Sequence, residues 1–313
     1  MAKACYVGVD GKARKVKKIY TGVSNVARKV KKGYVGVGGV ARPFYSAEAE
    51  LVYYGTATPL SVARFQLAAT TVGNYALFGG GRSSTVVDAY SDTLVRSTPM
   101  GLSEGRSQLA ATSVGNYALF GGGDGDDYFN VVDAYSATLV QSTPMGLSAE
   151  RKLLAATTVG NYALFGGGYR PRSAVAVVDA YSDTLVRSTP TVLSKARYAL
   201  AATSVGNYAL FGGGRSSTVV DAYSDTLVRS TPMGLSEGRD QLAATTVGNY
   251  ALFGGGYPDS ATVDAYSETL VRSTPMGLSE GREQLAATTV GNYALFGGGG
   301  FSSTVVDAYT ITQ

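Results

Sequence analysis

The chain contains no histidine, which excludes a Ser-His-Asp triad and any imidazole-held metal. Hydrolysis by a carboxylate pair stays formally open, because Asp88, Asp133, Asp179, Asp221, Asp264 and Asp307 recur at one position of a repeated phrase. A residue required once in every repeat fits a structural task better, such as accepting turn hydrogen bonds. The triplet Gly79-Gly80-Gly81 and its copies resemble a phosphate loop only superficially, since no Gly-Lys-Ser/Thr follows and no helix pattern begins there. Close backbone packing and positive φ explain them better. Asp124-Gly125-Asp126-Asp127 offers oxygen ligands to calcium, but its spacing completes no calcium motif and reads as a solvated loop. Cys5 is the sole cysteine, so neither an internal disulfide nor a cysteine-based zinc site can form. The expectation is a protein that binds, with no cofactor, metal or catalytic residue.

Binding chemistry points to the places where the repeats differ. Directly after a recurrent Arg, of which Arg106 is one, stand Phe65, Ser107, Lys152, Tyr198, Asp240 and Glu283, six residue types in a nearly constant frame. The loops after the Gly triplets diverge as well, and supply Arg82, Asp124, Tyr128, Phe129, Tyr169, Arg170, Arg215, Tyr257 and Phe301. Aromatic and Arg side chains of this kind dominate binding hot spots. Drift at exposed positions is the plain alternative. A recognition face built from loops on a rigid scaffold is the functional reading.

The frame behind these positions is a repeat. Gly-Asn-Tyr-Ala-Leu-Phe-Gly-Gly-Gly begins at Gly73, Gly115, Gly160, Gly206, Gly248 and Gly291, at intervals of 42, 45, 46, 42 and 43 residues. Each unit reads Leu-Ala-Ala-Thr-Thr/Ser-Val, a Gly-Asn turn, Tyr-Ala-Leu-Phe, the triplet, a loop, Val-Asp-Ala-Tyr, a short turn and Thr-Leu-Val. β-Branched and aromatic residues in short runs, punctuated by Gly and Pro, predict four strands per unit, A to D. No segment is long enough for a stable amphipathic helix. Six such units imply an all-β, six-bladed propeller. Strand direction alternates within a blade, so the D–A and B–C loops should share one face and the Gly-Asn turns the other. The last unit ends soon after Tyr309 without a D strand, and Tyr45-Ser46-Ala47-Glu48-Ala49-Glu50-Leu51-Val52 parallels Tyr90-Ser91-Asp92-Thr93-Leu94-Val95. The N-terminal segment is therefore expected to close the last blade, three strands plus one.

An apolar run into Gly-Gly (Leu77, Phe78, Gly79, Gly80), then Tyr90, Met100 and Arg106, resembles the Kelch repeat across residues 46–309. The Trp that follows the Tyr in Kelch blades is missing, and Leu94 stands in its place. The Gly-His and Trp-Asp signatures of WD40 blades are absent. What the resemblance implies is a propeller that serves protein–protein interaction. The copper-oxidase branch of that superfamily is ruled out by the absence of histidine.

Residues 1–45 follow a different rule. Tyr6-Val7-Gly8-Val9, Tyr20-Thr21-Gly22-Val23 and Tyr34-Val35-Gly36-Val37 recur every 14 residues, each followed by a hairpin pair: Asp10-Gly11, Ser24-Asn25, Gly38-Gly39. Residues 1–42 carry eleven Lys and Arg against Asp10 alone, in a chain of net charge +4, so the remainder is acidic. A basic hairpin arm over 1–45 preceding a propeller over 46–313 is expected. The arm's wording resembles N-terminal tracts of phage and prophage structural proteins from Gram-positive gut bacteria, which implies attachment within a particle. Lys15, Lys17, Lys18, Lys29, Lys31 and Lys32 can dock an acidic protein surface, grip phosphates beside stacking Tyr rings, or only keep a strand edge solvated. An acidic protein is the favoured partner and nucleic acid the least favoured. Neither a signal-peptide core nor a run of about 18 apolar residues is present, so membrane insertion is not expected. The propeller's partner is read as a protein or a host-surface glycan, and the location as a virion or the bacterial cytoplasm. The competing reading is a cytoplasmic interaction scaffold.

Overall fold

The computed structural model describes residues 57–300 and 303–311 in full, and the backbone of six strands between residues 6 and 46. Backbone contacts divide the chain into two compact units, Met1–Ala57 and Thr58–Gln313.

In the first unit three antiparallel hairpins pair Tyr6–Val9 with Lys12–Lys15, Tyr20–Val23 with Val26–Lys29, and Lys32–Val37 with Val40–Ser46. Two residues separate the strands of each hairpin, at the pairs the sequence marks. Lys15, Lys29 and Lys32 lie on these strands. Lys17, Lys18 and Lys31 fall outside the described residues.

The second unit holds no helix among its described residues and is built on six small antiparallel sheets arranged as a six-bladed propeller, with a further two-stranded ribbon, Tyr169–Arg170 paired with Ser173–Ala174, in the third blade's B–C loop. In the first blade strand A is Ala68–Val72, B is Tyr75–Gly79, C is Val87–Ser91 and D is Arg96–Ser97, paired in that order. Strand A of the next five blades is Ala110–Val114, Ala155–Val159, Ala201–Val205, Ala243–Val247 and Ala286–Val290. The D strand departs from expectation: Thr93-Leu94-Val95 is a turn, and the strand is the two residues that follow. The Ser91 hydroxyl accepts the amides of Thr93 and Val95 at 3.3 and 3.2 Å, and Leu94 is held at φ 59°. A Ser that captures its own neighbouring amides draws an otherwise strand-like run into a turn.

Neighbouring blades bury each other through one recurring contact set. Ala110, Val114, Leu119, Val132 and Ala134 of the second blade pack on Ala163, Phe165 and Tyr181 of the third, and the same positions build the clusters between the other consecutive blades. The first glycine of each triplet is a seat for the next blade's Phe, since a Cβ on Gly79 would stand 2.8 Å from the Phe120 ring. That Phe meets its own Tyr edge-on, Phe120 to Tyr135 at 5.9 Å. Tyr135 then donates its hydroxyl to the Met100 carbonyl of the preceding blade at 2.8 Å. The second glycine, Gly80, takes φ 69° under the Arg106 carbonyl.

Five seams between consecutive blades are built this way. The faces of the sixth and first blades do not repeat the packing among the described residues: Val290 is 47% exposed where Val114 is 2%, and a Cβ on Gly297 would meet no aromatic ring. The sixth sheet has three strands, Ala286–Val290, Tyr293–Gly297 and Val306–Thr310. Of the segment expected to complete it, Tyr45 and Ser46 pair with Gly33 and Lys32 in the third hairpin. Residues 47–56 lie outside the described residues.

Candidate functional site

The six recurrent aspartates are taken by structure. Asp133 lies fully buried against the equally buried Arg106, and the Arg106 guanidinium also donates to the carbonyls of Gly122 and Val131, both at 2.8 Å. The other carboxylate oxygen of Asp133 accepts the Ser103 amide at 3.0 Å. The same Arg–Asp pair recurs in every blade, with Arg64, Arg151, Arg197, Arg239 and Arg282 facing Asp88, Asp179, Asp221, Asp264 and Asp307. Each staples the D–A loop to strand C of its own blade. Burial lowers the Arg106 pKa from its ordinary value, and Asp133 opposes that shift. A carboxylate with both oxygens occupied and no solvent cannot serve as a hydrolytic base.

Four of the variable residues, Tyr198, Asp240, Tyr257 and Glu283, line one cavity. The six residues that directly follow the variable position after each recurrent Arg, Gln66, Gln108, Leu153, Ala199, Gln241 and Gln284, all take φ between 52° and 57°. Each later one donates its amide to the carbonyl of the one before, at 2.9 to 3.1 Å, so that a chain of backbone hydrogen bonds crosses all five packed seams. The cavity, of about 410 Å³, is lined by Gln108, Leu153, Tyr198, Ala199, Asp240, Gln241, Tyr257 and Glu283. The D–A and B–C loops are tied together at this end of the ring. Ser107 and Asp124, Lys152 and Tyr169, and Asp240 and Tyr257 exchange backbone hydrogen bonds, the longest being 3.4 Å.

Beside the cavity runs an aromatic series from three successive blades. Tyr128 and Tyr169 stand 6.5 Å apart, and Tyr169 and Tyr198 meet edge-on at 5.1 Å. The Lys152 ammonium lies 5.3 Å from the Tyr128 ring centroid and 2.7 Å from the Asp124 carboxylate.

The other nominated residues are more scattered. Phe65 is 59% exposed in the first blade and does not line the cavity. Arg82, Arg170 and Arg215 are exposed, with Arg170 Nε donating to Ser173 Oγ at 3.3 Å. The backbone of Phe129 is spent inside the structure, its amide on Gly123 and its carbonyl on Arg151. Ser107 is buried and its hydroxyl accepts the Ser83 amide at 2.8 Å, so it supports a loop and presents nothing to a ligand. Phe301 lies outside the described residues. No group of three or more metal-capable side chains occurs among the described residues, Asp124, Asp126 and Asp127 included.

No protein-family model and no curated protein matches the chain. Its fold is similar to that of a solved structure entitled "Structure of YjhT", with a TM-score of 0.65 at 13% sequence identity, over 80% of this chain and 96% of that one. At that identity the likeness shows the fold alone. A propeller is an architecture suited to binding and scaffolding, and its rigid blades leave the loops free to vary.

Proposed function

We propose that this chain is a non-enzymatic, Kelch-like binding protein of a phage or prophage particle. Its channel-mouth loops recognise a host-surface protein or glycan, and the basic arm attaches it to an acidic virion protein. The observation that carries the recognition half is the convergence of variable residues from successive blades, Tyr128, Lys152, Tyr169, Tyr198, Asp240, Tyr257 and Glu283, at one end of the channel. Constant residues hold the blades together, while four varied ones, Tyr198, Asp240, Tyr257 and Glu283, line the cavity and Tyr128, Lys152 and Tyr169 lie beside it. The attachment half is supported by the arm's charge and by its likeness to phage tracts.

The experiment is a glycan and host-cell binding screen with the full chain, followed by Tyr198→Ala and Tyr169→Ala. Both variants should fold, because neither ring belongs to the clusters between blades. Each should weaken binding by ~1 kcal/mol or more if it is a hot spot. Asn116 and Asn207, in the Gly-Asn turns of the opposite end, serve as controls. Binding that follows the Asn substitutions and ignores the Tyr ones would reject the proposal.

A further inference from the structure

Two of the propeller's carboxylates stand apart from the paired ones at this end of the ring. Asp88, Asp133, Asp179, Asp221, Asp264 and Asp307 each face an Arg, and Asp124 faces Lys152. Asp240 and Glu283, in the fifth and sixth blades, face no cation among the described residues, and both line the mouth cavity. Asp240 receives only neutral donors: the Ser216 amide at 3.0 Å, the Ser216 hydroxyl at 3.4 Å and the Gln241 side-chain amide at 3.3 Å. One oxygen of Glu283, Oε2, is buried without a hydrogen-bond partner among the described residues, and so is Gln108 Oε1, whose side chain also lines the cavity. Buried acceptors left unpaired are costly, more so when charged, and a donor brought to them recovers that cost. Tyr198 and Tyr257 complete the lining with two aromatic rings, whose faces attract cations. No Lys or Arg is part of the lining.

We infer that the mouth selects a ligand bearing an organic ammonium group, such as a de-acetylated amino sugar, seated between Asp240 and Glu283 and against Tyr198 and Tyr257. The inference rests on the recognition reading above and narrows it. An anionic ligand would meet two uncompensated carboxylates. A neutral sugar would supply donors to Glu283 and Gln108 but leave both charges unanswered. An ammonium does both, through charge-assisted hydrogen bonds and the ring faces.

The test uses the full chain in calorimetric titrations with two matched pairs of probes: glucosamine oligomers against their N-acetylated forms, and choline against its neutral isostere with carbon in place of nitrogen. The ammonium member of at least one pair should bind roughly tenfold or more tightly than its neutral counterpart. Glu283→Gln and Asp240→Asn should each remove most of that preference without changing thermal unfolding. Asn116→Ala, at the far end of the channel, should change nothing. Equal binding within both pairs, no binding of either ammonium probe, or a preference that survives both carboxylate substitutions would overturn the inference. In each case the recognition reading would stand if host binding still fell with Tyr198→Ala, and would fall with it otherwise.

Discussion

At the scale of single residues, the repeat is held by a buried ion pair that serves the fold. Arg106→Met should lower stability by ~3–5 kcal/mol, because it strands the Asp133 carboxylate in a site without solvent. Denaturant unfolding measures this. Replacing both partners, Arg106→Met with Asp133→Leu, should recover only part of the loss, since the Gly122 and Val131 carbonyls still lose their donor. The blade tyrosines give a pH signature. Burial, and then the neighbouring Asp, push the phenols of Tyr135, Tyr181, Tyr223 and Tyr266 above the ordinary 10.0, and Tyr309 up to about 12. A raised folded-state pKa means that the fold holds its protons more tightly than the unfolded chain does. The stabilisation is therefore complete below about pH 10 and drains away as pH rises through the raised values. The last fraction of phenolate absorbance, belonging to these five rings, should appear together with the loss of circular dichroism above pH 10; ionisation of every phenol with the fold intact would refute the assignment. The once-per-blade constancy of Asp and Arg was visible in the sequence, and so was a structural role for Asp. Their pairing was not, because the partners lie 24 to 28 positions apart and only strand C's register brings them together.

At the scale of elements, strands A to C were legible from their apolar and β-branched runs and from the Gly-Asn turn between A and B. Strand D was misplaced because Thr93-Leu94-Val95 has strand composition, while the Ser91 side chain and the positive φ of Leu94 make it a turn. The fate of the sixth blade follows from the same logic. Its outer strand, Val306–Thr310, pairs on one side only among the described residues, and Val306 is 60% exposed. An unpaired strand edge invites pairing with other chains. The sequence expectation that residues 46–56 supply the missing strand falls outside the described residues except at Ser46, which pairs with Lys32, and truncation tests it. Deleting residues 1–42 should then leave a cooperatively unfolding propeller, whereas deleting 1–56 should cause aggregation or a broadened transition. Scattering and thermal melts of the two truncations decide it. Equal behaviour would show that the segment does not close the blade.

At the scale of the molecule, chemistry is partitioned between the two units. The propeller spends one Arg and one Asp per blade in a buried or nearly buried pair and places two carboxylates without a cation among the described residues, Asp240 and Glu283, at the cavity. Residues 1–42 hold eleven Lys and Arg beside one Asp. Strand alternation puts the D–A and B–C loops on one side of the ring, but it does not tell that Tyr198, Asp240, Tyr257 and Glu283 line the cavity while Phe65 does not, nor that Ser107 turns inward to Ser83, since its neighbours in the repeat, Lys152 and Tyr198, occupy the equivalent position without burial. The arm's charge makes a separable prediction about attachment. Exposed charges act over roughly 8 Å at physiological ionic strength. Arm-dependent binding to an acidic particle protein should therefore weaken steadily as salt rises, and fall when Lys15, Lys17, Lys18, Lys29, Lys31 and Lys32 are replaced together by Gln. Propeller stability and glycan binding should be untouched by the same six changes. Co-sedimentation of the variant with assembled particles over a salt series measures it. If the variant sediments like the parent at every salt concentration, the lysines do no more than keep the hairpin edges in water.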